Sequence, residues 1–214
     1  MGGPLSPARD APGRRLPRRL TQLYAGLVLF AVGEAFIVRA ALGIMPWDVL
    51  HQGLVARVGL SIGAWSVIVG AVVLLAWWPL RQRPGLGTVS NVVVIGPVLD
   101  LVLAWLAVPE SPGWRVGFLV VGILLNGVAT AAYLGARLGP GPRDGLMTGL
   151  VSRTGRSVRL VRTGIEVAVV AVGWALGGNL GWGTLAFALS IGPVVHVALP
   201  VLSVGSDSGA RPGA

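Results

Sequence analysis

The sequence predicts an all-α transmembrane protein built as two inverted-topology repeats of three spans each, with a short helix in each repeat. Three observations carry this reading. Of the 214 residues, 54% are hydrophobic and only 12% are charged, about half the roughly 25% charge usual in a soluble domain. The mean hydropathy is +0.77, and the apolar residues gather in six long runs that point to lipid as the main solvent. The chain also matches itself without gaps when shifted by 96 positions, so that Leu42 falls on Leu138.

Residues 1–19, rich in Gly, Pro and Arg, are expected to form a disordered basic cytoplasmic arm. Repeat 1 is expected over 20–108, with spans near 20–40, 63–80 and 87–107. Repeat 2 is expected over 115–204, with spans near 115–135, 160–177 and 183–203, followed by a disordered tail at 205–214. Each run is near the 20 residues or so that a helix needs to cross about 30 Å of hydrocarbon. Trp65, Trp77, Trp78, Trp105, Trp114, Trp174 and Trp182 stand at the ends of runs, the pattern of an interfacial aromatic belt. The first run follows Arg14, Arg15, Arg18 and Arg19 in the manner of a signal peptide. It is longer than an h-region and takes part in the repeat, so cleavage is not expected.

The self-match is a series of signatures. Leu42-Gly43, Pro46 and Asp48 meet Leu138-Gly139, Pro142 and Asp144; Gly53-Leu54-Val55 meets Gly149-Leu150-Val151. Arg57, Gly59 and Ser61 meet Arg153, Gly155 and Ser157; Gly85, Gly87 and Thr88 meet Gly181, Gly183 and Thr184; Ile95-Gly96-Pro97-Val98 meets Ile191-Gly192-Pro193-Val194. Chance likeness between apolar segments yields scattered Leu and Val matches, not ordered Gly, Pro and Asp. Three spans per copy is an odd number, so the second copy enters the membrane upside down. The charges agree with an N-terminus and C-terminus both in the cytoplasm. Arg9 to Arg19, Arg81, Arg83 and Arg137 to Arg162 then lie inside, and only Arg39, Arg57 and Arg115 outside.

The net charge of +9 comes with no Lys, every basic residue being Arg. Because these Arg residues fall between apolar runs, the positive-inside rule accounts for them and nucleic acid is not an expected partner. The absence of Cys excludes disulfides and thiolate chemistry. His51 and His196 lie far apart in sequence, which argues against a His-based metal cluster. No nucleophile–base pair and no cofactor motif is present, so neither catalysis nor a cofactor or metal is expected.

Candidate binding residues come from two patterns. The first is Pro46-Trp47-Asp48 and Pro142-Arg143-Asp144, each opening a segment too short and Gly-rich to cross. Pro suits the first helical turn and Asp the positive end of the helix dipole. Two arrangements satisfy these short helices: re-entrant half-helices meeting near the midplane, or amphipathic helices lying at the interfaces. The second pattern is polar residues within spans, which are costly in lipid. Glu34, Asn91, Asn126, Asp100 and its repeat-mate His196 belong here, with Asp100 or His196 as proton carriers or all of them as interhelical hydrogen-bonding groups. Arg159, Arg162 and Glu166 share one helical face, with Arg162 and Glu166 spaced to pair. Gly59, Gly63, Gly122 and Gly127 are spaced for close helix approach. Gly85-x-Gly87-Thr88 lacks the ending of a phosphate loop and reads as a turn leading into a helix.

Leu42 to Leu50, Gly59 to Ser66, Gly85-x-Gly87-Thr88, Gly141 to Met147 and Arg159 to Thr163 resemble the YczE/YitT-type bacterial membrane proteins, on the YczE side. The likeness spans about 20–203. It implies a multi-pass protein of the bacterial inner (plasma) membrane with about five spans, and it implies no activity. Two functions stand open. One is a small-solute or ion transporter or channel with its site between the repeats. The other is a non-enzymatic accessory protein supporting another membrane or biosynthetic complex.

Overall fold

A computed structural model of the chain describes residues 16–204. The expected tail at 205–214 and most of the expected arm lie outside the described residues. The arm's last four positions, 16–19, are helical instead. There Arg19 donates to the carbonyls of Ala136 and Arg137, at 2.7 Å each, a basic side chain on the negative end of another helix.

Among the described residues the fold is all-helical: α1 (Leu16–Ala40), α2 (Pro46–Val58), α3 (Ile62–Trp77), α4 (Leu86–Trp105), α5 (Pro112–Gly135), α6 (Pro142–Thr154), α7 (Val158–Ala175) and α8 (Trp182–Leu202). The first residues of α5 to α8 stand 96 positions after those of α1 to α4, from Leu16 and Pro112 to Leu86 and Trp182. Local chemistry sets these starts. Pro occupies the first turn of α2, α5 and α6. Ser61, Ser111 and Ser157 cap α3, α5 and α7 by accepting from Ala64, Trp114 and Leu160 N–H. α2 and α6 stop at Gly59 (φ +83°) and Gly155 (φ +66°), conformations that favour glycine.

α1, α4, α5 and α8 are long and apolar enough to cross a membrane, and α2 with α3, bent by 113° at a short break, makes up to five candidate spans. The count is below the six expected from the apolar runs. α3 has only 16 residues, and α7 carries Arg159, Arg162 and Glu166 in its first half. Large apolar side chains face outward along these helices, among them Leu75, Leu185, Leu189, Val197 and Val201. A water-facing surface rarely carries so many.

Small residues decide the packing, as expected where lipid removes any hydrophobic drive between helices. α1 crosses α5 at Gly26, Gly33 and Gly122; a Cβ on Gly33 would stand 2.9 Å from Asn126 N. α2 crosses α7 where Gly53 meets Gly173, and α3 crosses α4 where Gly63 meets the Gly96 carbonyl. Gly127 packs on Val194. Gly59 departs from expectation: a Cβ there would meet nothing within 4 Å, so it serves the helix end and no close crossing. Trp77 departs too. It is buried, not interfacial; its indole lies against Gly145 and its Nε1–H donates to Pro142 O at 3.0 Å. Trp78, Trp105 and Trp114 are exposed as expected.

The two copies dock on each other through their glycine motifs. Gly183 N–H donates to Leu42 O at 2.8 Å, and Gly87 N–H to Leu138 O at the same distance. Gly43 (φ +114°) packs on Gly181 and Gly139 (φ +129°) on Gly85. Thr88 accepts from Gly85 N–H and donates to Pro140 O, so the Gly-x-Gly-Thr segment is the expected turn into a helix.

The α3–α4 crossing and its counterpart supply a stability test. A Cβ on Gly63 would overlap the Gly96 carbonyl, whereas one on Gly192, the repeat-mate of Gly96, would meet nothing within 4 Å. Gly63→Ala should cost about 1–3 kcal/mol, as overpacking does. Gly192→Ala should be neutral or stabilising by up to about 1 kcal/mol. Thermal unfolding in detergent measures both, and equal melting temperatures would contradict the tight crossing.

Candidate functional site

The short helices bring their first turns together. Met45 precedes α2 and Gly141 precedes α6, both extended, and Pro fixes the first turn of each. Trp47 and Arg143 are repeat-mates, 96 positions apart, and they touch: the Arg143 guanidinium carbon lies 5.0 Å from the centre of the Trp47 ring, a cation–π geometry. The first turns of the two short helices are therefore in contact, which helices lying about 30 Å apart on opposite surfaces would not be.

A cavity of about 430 Å³ lies at this meeting point, within the range of small-molecule sites. Both copies line it, often through repeat-mates: Pro46 and Pro142, Trp47 and Arg143, Asn91 and Phe187, Ile95 and Ile191. Several of its polar groups are hydrogen-bonded. Tyr133 Oη donates to Asp144 Oδ2 at 3.2 Å. Asn126 Nδ2 donates to its own repeat-mate, Phe30 O, at 3.3 Å. Among the described residues the Arg143 guanidinium has no hydrogen bond or ion pair beyond its seat on Trp47, so its N–H groups are free to face the cavity, which it lines beside Asp144.

Of the residues expected at a site, Pro46, Pro142, Arg143, Asp144, Asn91, Arg162, Glu166 and His196 line the cavity. Arg162 Nε donates to Glu166 Oε1 at 2.9 Å, the i,i+4 pair expected. Four lie elsewhere. Arg159 is exposed on α7, because its place in the stripe falls one turn short of the cavity. Asp100 holds the start of α3, accepting from Ser61 Oγ and, at 2.9 Å, from Gly63 N–H. It is an anion at a helix N-terminus. Glu34 and Asp48 are fully buried and do not line the cavity. They sit with His51, whose Nδ1 lies 3.1 Å from Asp48 Oδ1.

Sequence reasoning passed over Trp47, Tyr133 and His51. His51 had a signal, being one helical turn after Asp48 on a short helix. Nothing in the sequence shows that Tyr133 reaches Asp144 across two elements.

The fold and the cavity define a class: an all-helical protein with four to five helices long and apolar enough to cross a membrane, and a chamber lined by two halves of related sequence. Within that class, the chain matches a family of unknown function, DUF6198, over residues 17–200 and belongs to it. It is 40% identical over 186 residues to an uncharacterized protein of Haemophilus influenzae, covering 87% of this chain and 85% of the relative. It is 34% identical over 189 residues to the uncharacterized membrane protein YczE of Bacillus subtilis, covering 87% and 88%. A third relative, the uncharacterized protein YyaS of Bacillus subtilis, is 26% identical over 184 residues. The resemblance to the YczE side is thereby confirmed. No solved structure matches the chain significantly.

Contact between the half-helices is testable on the Cys-free background. The double variant Trp47→Cys, Arg143→Cys should be joined intramolecularly by a short bismaleimide in native membranes, seen as a gel shift after cleavage of an engineered loop site. Helices on opposite surfaces would stand about 30 Å apart, and no short reagent would then join them.

Proposed function

We propose that the protein is a membrane transporter for a small polar or anionic solute, working by exchange between two inverted repeats. The observation that carries this reading is the chamber at the meeting of the two Pro-started helices, lined by matched residues of both copies. Half-helices whose N-termini point at an anionic group near the midplane are the recurring solution in inverted-repeat carriers. Here Arg143 adds a cation, Trp47 a flat face, and Asn91 and Tyr133 add hydrogen-bonding groups, with apolar walls from Phe187 and Ile191.

The two copies differ in a way that suits alternating access. α3 and α4 are closed on each other at Gly63 and Gly96 and held by Asp100. Their counterparts α7 and α8 carry Arg159, Gly192 and His196 at the matching positions, and Gly192 has no close neighbour. The chamber reaches the half-exposed Arg162–Glu166 pair on this parted side. In the exchanged state, α7 and α8 close and α3 and α4 part. The same symmetry requires six crossings, with α3 and α7 each completing a span, and both termini in the cytoplasm.

Two measurements test the reading. Purified protein in liposomes should move an anionic solute from a metabolite panel. Arg143→Gln and Asp144→Asn should each reduce that flux at least tenfold without lowering the melting temperature by more than a degree or two, because Asn keeps an acceptor for Tyr133. Full flux in both variants would remove the chamber from the transport path; no flux with any solute would favour the accessory role. Reporter fusions after Val204 should read as cytoplasmic, and an extracytoplasmic C-terminus would overturn the inversion.

A further inference from the structure

Behind Trp47, away from the chamber wall, three ionisable side chains share one buried spot. Glu34 comes from the middle of α1, and Asp48 and His51 from adjacent turns of α2. One ligand-type atom from each lies within 4.8 Å of the other two. Glu34 and Asp48 are 0% exposed and His51 1%. His51 Nδ1 lies in hydrogen-bond reach of Asp48 Oδ1, and the Glu34 and Asp48 carboxyl groups stand close enough to share a proton. Both carboxylate oxygens of Glu34 and Oδ2 of Asp48 are buried without a partner.

That arrangement is costly unless something positive completes it. Arg39, one turn beyond Glu34 on α1, is directed at Leu103 O instead. Arg143 and Asp100 are the other charges acting on Glu34, and Arg143 is committed to the Trp47 ring. A single proton bridging Glu34 and Asp48 would leave one negative charge buried and the His51 imidazole outside the bridge. A divalent cation engages one atom of each of the three side chains and cancels the charge of both carboxylates.

We propose that Glu34, Asp48 and His51 form a binding site for one divalent transition-metal ion. Two carboxylates and an imidazole, without a thiolate, suit zinc or manganese. Ligand atoms about 2.0–2.2 Å from one tetrahedral ion stand about 3.3–3.6 Å apart, so a group whose atoms lie within 4.8 Å of one another closes on an ion with side-chain shifts of up to about 1 Å. A void of about 20 Å³ reaches His51 and is lined also by Trp47, Ser66, Asn91 and Arg143, room for about one water beside the imidazole. The site is single. The repeat-mates of its three members are Thr130, Asp144 and Met147, which cannot form a second one. It stands independently of transport, since it needs no solute.

The test uses the full-length chain in detergent, purified with a tag that contains no histidine and stripped with EDTA. After dialysis against equal ZnCl2 or MnCl2, elemental analysis should find one metal ion per chain. The melting temperature should rise with metal and fall back with EDTA. Glu34→Gln, which keeps the shape of the side chain, should weaken affinity at least tenfold, and His51→Gln should do the same by an independent route if the first variant folds poorly. Asp144→Asn should bind metal as the parent does. Metal content at the buffer blank for both ions would overturn the site, as would unchanged binding in Glu34→Gln and His51→Gln. A Glu34→Gln variant that is more stable than the parent while neither responds to metal would mark the cluster as a proton site instead.

Discussion

The structure depends on a reciprocal hydrogen bond. Leu42 O accepts from Gly183 N–H and Leu138 O from Gly87 N–H, each at 2.8 Å. These bonds form only because backbone approaches backbone: Gly43 lies on Gly181, Gly139 on Gly85, and any Cβ on these residues would intrude on the opposite strand of chain. The two carbonyls belong to the turns that end just before Pro46 and Pro142. Docking each turn on the other copy therefore fixes where both short helices begin. The meeting of Trp47 with Arg143, the chamber beside them and the burial of Asp48 all follow from that placement.

Within this shared frame the copies have diverged in what they carry. Copy one has small residues on α3, an Asp that clamps α3 to α4, and a buried acid on α1. Copy two has the charged stripe of α7, a His where the clamp would be, and Thr130 in place of Glu34. The divergence makes chemical sense. Two identical halves would place identical charges across a shared axis and repel; here a Trp faces an Arg, and a Tyr–Asp pair stands where the other half has Ile37 and Asp48. The packed side of the molecule is the one with Gly63 on Gly96, and the parted side is the one where Arg159 replaces the small residue.

Much of this was legible in the sequence. The all-helical class, the helix starts at Pro46 and Pro142, the offset of 96 positions and the Arg162–Glu166 pair are all local or periodic properties, set within a few residues of chain. Eight of the twelve expected site residues line the chamber: Pro46, Pro142, Arg143 and Asp144 open the short helices, Arg162 and Glu166 share one helical face, and Asn91 and His196 are polar residues within apolar helices. Where the sequence left two readings open, a distant element decides between them. Trp77 ends an apolar run and is buried because Gly145 leaves a slot for its ring. Asp100 takes the interhelical hydrogen-bonding role, one of the two expected of it, because the start of α3 presents it with a free N–H. Both outcomes depend on what a distant element presents.

By itself the sequence determined the all-helical class, the offset of 96 positions, the helix starts at Pro46 and Pro142 and the family, because hydropathy, Pro, Gly and Ser act over a turn or two of helix. Only the tertiary structure decided which side chains meet: Trp47 with Arg143, Tyr133 with Asp144, and Glu34 with Asp48 and His51. Helices in lipid gain nothing from merely hiding apolar surface, so their lateral arrangement rests on where glycine lets two backbones touch. That is a property of pairs of helices, and no single stretch of sequence contains it.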